Sequence, residues 1–391
     1  MKNGPLATDV LVVGAGPAGS TAALVLARAG VRVRLVDRAR FPRDKLCGDT
    51  LNPGTLAMLD RLGIAAPIRL GGLPITGMDL TGPRGACVSA DYPRGIHGVS
   101  LTRRELDLLL LEAAIAAGAC FESDAVVRSP LTTADTSRII GVHAAAASGD
   151  ERPVHARVVI AADGRHSRLA FALGLATYAP TPKRWAFGAY FGGVANLSSH
   201  GEMHIRTDGY IGIAPLPGGI ANVCVVRELK NVIRAQRADA DTSVRQAVDS
   251  DPVLAPRFRH ARQISGVTSL GPLAVDASGA GYPGLLVAGD AAGFVDPMTG
   301  DGLRFAIRGG ELAAEAALRE LSMGTPAWRS LREARTREFG PKWRINRGLR
   351  ALVASPRAVH VVSQLARGWD APVRAMVSVA GDVKLAQHAA T

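Results

Sequence analysis

Short unbroken apolar runs alternate along the chain with longer segments of helical spacing. Residues 9–13 (DVLVV) form a run of strand length, as in a strand covered on both faces. Glycines interrupt it, and the small residues of 17–29 then predict a helix. The alternating VRVRLV at 31–36 predicts a second, parallel strand, followed by a polar Pro- and Gly-bearing loop over 41–51. A helix is predicted over 53–62, stopped by Gly63, and the short apolar pieces of 73–100 predict hairpins or irregular strands. The segment TRRELDLLLLEAAIAAG at 102–118 predicts a helix with Thr102 as N-cap, Glu105 completing a capping box and Gly118 ending it. Strands are predicted at 125–128 and 138–144, and VHARVVIAA at 154–162 predicts a buried strand running into Asp163-Gly164.

The pattern then changes. RWAFGAYFGGV, EMHIRT, YIGIAPL and ANVCVV predict four strands joined by turns, with a helix around 230–250 after them. A buried strand returns at 284–289, and a long helix is predicted over 302–321. These elements describe an α/β protein in three parts. A first, discontinuous domain takes 1–174 plus 271–325, a mostly antiparallel sheet is inserted at 175–270, and 326–391 is a helical C-terminal region.

Composition narrows the class. The 391 residues are 47% apolar, enough for a large core, and carry a formal charge of +12. The arginines are spread along the chain without a basic block, and aromatics are only 5%, so no nucleic-acid partner is expected. The basic balance suits an anionic cofactor or a weak peripheral contact with acidic lipid. Cys47, Cys87, Cys120 and Cys224 form no CxxC pair, and the His residues lack metal-ligand spacing, so no metal site is expected. With no signal-peptide pattern and no apolar stretch of spanning length, a cytoplasmic location is expected.

Candidate chemistry begins at Gly14-x-Gly16-x-x-Gly19. The first glycine allows the tight turn, the second lets backbone approach a pyrophosphate, and the third lets helix and strand pack closely. The helix start, with Pro17 and Ala18, presents unpaired N–H groups to phosphate. Asp37, at the end of the second strand, suits the ribose hydroxyls, with Arg38 beside it. This motif alone leaves NAD and FAD open.

Two later segments, VVIAADGRHSRLA and GLLVAGDAAGFVDPMTGDGLRFAI, each place an aspartate and glycine after a buried strand. With them the chain resembles the flavoprotein oxidoreductases of the para-hydroxybenzoate hydroxylase fold, over residues 10 to about 320. The resemblance implies a Rossmann-like FAD-binding domain. It places Asp290, with Gly289, on the ribityl chain, and Asp163-Gly164 near the pyrophosphate. It places Arg103, four residues before Asp107, on phosphate or ribose, and includes Val126 in the cofactor site. The run Gly300-Asp301-Gly302-Leu303 starts a helix whose N–H groups can meet an anionic flavin ring.

FPRDKLCGDTL at 41–51 resembles the P-x-x-K-x-C-G segment of the geranylgeranyl reductase family, and Gly293 after the alanine pair agrees with it. Lys45, Cys47 and Gly48 are thereby implied beside the flavin, Lys45 and Cys47 as catalytic candidates. GYIGIAPL is similar to that family's G-Y-x-W-x-x-P strand, with Ile213 at the tryptophan position, and the halogenase W-x-W-x-I-P signature is absent. Trp185, Phe187, Tyr210, Ile213 and Pro297 are expected to wall an apolar substrate pocket. The resemblance implies reduction of a carbon–carbon double bond in an isoprenoid or lipid-like substrate by hydride from flavin N5. Electrons would come from NAD(P)H or from a partner protein such as a reduced ferredoxin. Two alternatives stay open: a monooxygenase acting through a flavin hydroperoxide, and a non-catalytic prenyl-binding protein like the Rab GDP-dissociation inhibitors.

Overall fold

A computed structural model describes residues 8–82, 87–145, 149–178, 184–228, 240–294, 298, 300–353 and 371–389. Val10–Val13 lies inside a six-stranded sheet. The strand order is Gly281–Tyr282, Leu285–Val287, Val158–Ala161, Val10–Val13, Val33–Val36, Cys120–Glu122, parallel except for the first. The unbroken apolar runs follow from cover on both faces. Val10 and Val12 pack under the helices Pro17–Arg28, Arg103–Ala116 and Gly302–Met323. Leu11 and Val13 point the other way, onto a three-stranded antiparallel sheet of Val126–Thr132, Ile139–Ala145 and Glu151–His155.

Helix ends follow the capping chemistry. The Thr102 hydroxyl accepts from the Glu105 amide at 3.2 Å, but itself donates to the Glu105 carboxylate at 2.6 Å, so the box closes on the hydroxyl instead of the N-cap amide. Gly324, at φ 71°, ends the Gly302–Met323 helix in the left-handed conformation.

The chain leaves the first sheet at Ala176–Tyr178 and returns at Val275–Ala277, and these two short strands pair with each other. Between them, Arg184–Gly192, His200–Arg206, Gly209–Leu216 and Ile220–Glu228 form the antiparallel core of an eight-stranded sheet. This sheet also takes Gly77–Thr81, parallel to His200–Arg206, and Cys87–Asp91, from the stretch expected to hold irregular hairpins. The Ala240–Asp249 and Ala255–Phe258 helices cover one of its faces; the first ten residues of the helix expected at 230–250 lie outside the described residues.

In the C-terminal region, Trp328–Val353, Ala371–Ala380 and Val383–Ala389 are helical. Leu331 and Phe339 of the first are buried in the core under the Rossmann-like sheet's helices. Among the described residues no helix is long and apolar enough to cross a membrane.

Candidate functional site

The carboxyl ends of four neighbouring parallel strands carry the predicted groups: the glycine turn after Val13, Asp37 after Val36, Asp163 after Ala161 and Asp290 after Val287. Ligands bind at this edge of open α/β sheets. Gly14 has φ +98°, and a Cβ there would lie 2.5 Å from the Ala162 carbonyl oxygen. A Cβ on Gly19 would fall inside the carbonyl oxygen of Gly14. Both approaches are backbone on backbone, so neither can be relieved by turning a side chain. The Pro17–Arg28 helix begins at Gly16 with no side-chain cap, which leaves its first N–H groups for a ligand. Asp37 accepts from the amides of Ala15 at 2.7 Å and Ala39 at 2.8 Å, bracing the turn it follows. Arg38 is exposed beside it, and Val126 follows Ala125, whose amide bonds the Asp37 carbonyl.

Asp163 accepts from the Arg168 amide through one oxygen at 3.1 Å, while its other oxygen is buried without a partner. Desolvation pushes this carboxyl above its ordinary range. Asp290 sits in the 3-10 turn Gly289–Ala292 and is also raised by desolvation, with Lys45, Arg103 and Arg165 pulling it back.

The 41–51 loop lies against these groups. Lys45 is pushed down to about 8, first by desolvation and then by the nearby cations Arg103 and Arg165, against the pull of Asp290. Burial raises the Cys47 thiol, which makes it a poor nucleophile. Arg103 makes two hydrogen bonds to Asp107, at 2.7 and 2.9 Å, and Arg43 joins the same carboxylate at 3.2 Å.

Sequence reasoning missed Asp49 and Asn222. Asp49 is buried, with φ +52°, and receives the Arg103 amide at 3.1 Å, the Tyr190 hydroxyl at 2.8 Å and the Asn222 amide at 2.6 Å. Its place directly after Cys47-Gly48 was the available signal.

The strand period divides the expected substrate wall. Trp185, Phe187 and Ile213 point to the face covered by Val244, Val248 and Phe258, so they build that core and do not wall a pocket. Tyr210 points the other way, with Ala186, Val226, Leu46 and Phe294. Gly188 shares that face: a Cβ there would strike Leu46 and lie 3.2 Å from the Cys224 sulfur. Pro297 lies outside the described residues. Asp301 also differs from expectation. It is held by the C-terminal region, with Lys342 at 3.1 Å and Asn346 at 2.9 Å, while Gly300 has φ 69°, Gly302 opens the following helix and Leu303 is buried in the core.

The fold and this edge define a dinucleotide-binding oxidoreductase. A family model described as "FAD binding domain" matches residues 7–315, and the chain belongs to that family of FAD-dependent oxidoreductases. It is 33% identical over 367 residues to a menaquinone reductase of Mycobacterium tuberculosis, covering 89% of this chain and 85% of that one. It is 32% identical over 335 residues to a geranylgeranyl diphosphate reductase of Rhodobacter capsulatus, covering 82% and 77%. Among solved structures, a geranylgeranyl bacteriochlorophyll reductase-like protein of Thermoplasma acidophilum superposes with a TM-score of 0.76 at 21% identity, over 97% of this chain and 95% of that one. The myxobacterial chondrochloren halogenase gives 0.81 at 21%, over 98% and 97%. The two structures share the fold, and the sequence relatives place the chain beside the reductases. The residues present fit FAD: the uncapped helix start, the backbone cradle at Gly14 and Gly19, and the orphaned Asp163 oxygen all suit a dinucleotide.

Proposed function

We propose that this protein is a reductase that saturates a carbon–carbon double bond in an apolar, isoprenoid-like molecule. The observation that carries this reading is the inner face of the eight-stranded sheet. Ala186, Tyr210 and Val226 line it, and Leu46, Phe294 and Met298 pack against it. Ala186, Tyr210, Val226 and Met298 are themselves buried by this packing, so Leu46 and Phe294, half-buried at its edge, are the apolar groups left to meet a hydrocarbon. The kinship with reductases of menaquinone and geranylgeranyl diphosphate points the same way.

FAD would be held by the Gly14–Gly19 turn, Asp37, Asp163 and Asp290, and when bound supplies the hydride. The chain's own part is placement and protons. The Pro17–Arg28 helix start holds the pyrophosphate. Leu46, Tyr210 and Phe294 keep water from an alkene lying on the sheet. The second alkene carbon needs a proton, and Lys45 Nζ, at about 8, holds one at neutral pH while releasing it more readily than an ordinary lysine. Electrons would enter from NAD(P)H or from a ferredoxin-like partner.

The test is anaerobic turnover of dithionite-reduced protein with menaquinone and, separately, geranylgeranyl diphosphate, followed by mass analysis. A gain of two hydrogens located in the prenyl chain of either, read after air has reoxidised any quinol to quinone, supports the reading. No anaerobic product, together with a gain of one oxygen under air, would establish a monooxygenase instead.

A further inference from the structure

We propose that Asp49 is a positioning residue for the reduction, clasping the Lys45–Cys47 loop between the FAD-binding domain and the inserted sheet. The proposal rests on the reductase reading, but the clasp itself is a geometric claim. Three donors from separate elements converge on one buried carboxylate. The Arg103 amide comes from the start of the Arg103–Ala116 helix, the Tyr190 hydroxyl from Arg184–Gly192 and the Asn222 amide from Ile220–Glu228. Asn222 Nδ2 also donates to the Cys47 carbonyl at 2.7 Å, and the Cys224 thiol reaches that carbonyl at 3.7 Å. The Leu101 amide bonds the Asp49 carbonyl at 3.0 Å. Backbone and side chain of Asp49 are thus both held.

The left-handed backbone at Asp49 carries a steric cost in an L-residue. Glycine would adopt it without that cost. What glycine cannot supply is the carboxylate, so the position accepts an unfavourable backbone to place an acceptor. The loop it anchors carries Lys45, whose charge acts on Asp290, and the sheet it grips carries the apolar cluster around Tyr210. Asp49 therefore fixes the distance between the proton-bearing Lys45 and the surface on which the alkene lies.

All three partners of the carboxylate donate, one from the backbone and two from side chains, which is the pattern of an ionised carboxylate. The charged and titratable groups facing it are Arg103 from the helix, Tyr190 and Cys224 from the sheet and Cys47 from its own loop. Desolvation pushes Asp49 up to about 6 against the pull of Tyr190, Arg103 and Asn222. The Arg103 amide donates to Oδ1, and Tyr190 and Asn222 donate to Oδ2, so protonation on going below about pH 6 sets a hydroxyl against at least one of these donors and the clasp loosens.

The experiment reads the loop directly. Maleimide labelling of the holoprotein, resolved by peptide mass spectrometry, compares partly buried Cys47 with exposed Cys120 as internal reference. Cys47 should be protected at pH 7.5 and gain at least tenfold in relative labelling as the pH falls from 7 to 5. Asp49→Asn should label fast at every pH and lose tenfold or more in kcat while keeping its yellow colour. Tyr190→Phe removes a single donor and should raise the pH at which protection is lost. Unchanged Cys47 labelling in Asp49→Asn, or a protection midpoint that Tyr190→Phe leaves in place, would overturn the clasp. Should Asp49→Asn fail to fold, Tyr190→Phe alone decides the matter. Absence of alkene reduction by the wild type, with the labelling pattern intact, would instead refute only the reductase reading.

Discussion

Lys342→Met is the substitution whose cost the structure specifies most directly. Lys342 is 5% exposed, and its ammonium lies 3.1 Å from Asp301 and 3.0 Å from Asp382, whose side chains are 2% and 14% exposed. It also donates to the carbonyls of Val379 at 2.7 Å and Ala380 at 3.1 Å. One cation thus joins three elements: the start of the Gly302–Met323 helix, its own Trp328–Val353 helix and the turn after Ala371–Ala380. Methionine preserves the stem and removes the charge. Asp382 keeps Arg304 at 3.2 Å, and Asp301 keeps the Asn346 amide at 2.9 Å. Breaking one side of a buried pair costs about 3–5 kcal/mol, and this includes much of the loss at the two carbonyls. For a chain of 391 residues, with an unfolding entropy of about 0.8 kcal/mol/K, that corresponds to a fall in Tm of roughly 4–6 °C. Thermal unfolding of the holoprotein followed by circular dichroism measures it. The double variant Lys342→Met with Asp301→Asn should recover part of the loss, because it removes one of the two carboxylates that the ammonium had faced. A single variant within about 1 kcal/mol of wild type, or a double variant no better than the single, would refute the assignment.

Three further outcomes follow from the site. Gly19→Ala forces a Cβ into the Gly14 carbonyl, so the purified protein should lose most of its flavin, read as the 450 nm to 280 nm absorbance ratio after desalting; full retention would contradict the packing. In the apoprotein, native Lys45 gives up its proton near 8 whereas the unfolded chain holds it to the ordinary 10.5, so unfolded molecules bind more protons in that window. Lys45 therefore makes stability rise with pH between those values, and urea titrations of Lys45→Gln should show a shallower rise than wild type. Asp163→Asn relieves the desolvation that raises this carboxyl and should stabilise the apoprotein at pH 7 by about 1 kcal/mol while weakening FAD binding. Equal flavin titration curves for the two proteins would show that the orphaned oxygen does not face the cofactor.

How far the sequence discloses this arrangement depends on the range of the interaction concerned. The Val10–Val13 strand, the glycine turn and the Pro17–Arg28 helix are dictated within 20 residues by hydrophobic run, turn chemistry and capping, and they stand where the pattern places them. The inserted sheet is legible as four strands, because each carries its own alternation. Its recruitment of Gly77–Thr81 is not, since parallel pairing with His200–Arg206 joins residues more than 120 positions apart.

Side-chain direction is the sharper case. Trp185, Phe187 and Tyr210 all look like candidates for an aromatic wall, yet alternation states only that neighbours face opposite ways. Which face meets the flavin-binding segments is fixed by where the Ala240–Asp249 helix settles. Burial of Val244 and Val248 against Phe187 commits the odd positions of Arg184–Gly192 to that side, and leaves Ala186, Gly188 and Tyr190 for the site. Asp49, and the partners of Asp301, were hidden for the same reason. Both aspartates are in glycine-rich turns, where a local role such as capping or solvation is the default. Their partners arrive from Lys342 in the C-terminal region and from Tyr190 and Asn222 in the insert. In a flavoprotein assembled from discontinuous segments, the backbone cradle for the dinucleotide is therefore written locally. The contacts that set loop against sheet are written in pairs of distant positions, and only the folded chain brings their two halves together.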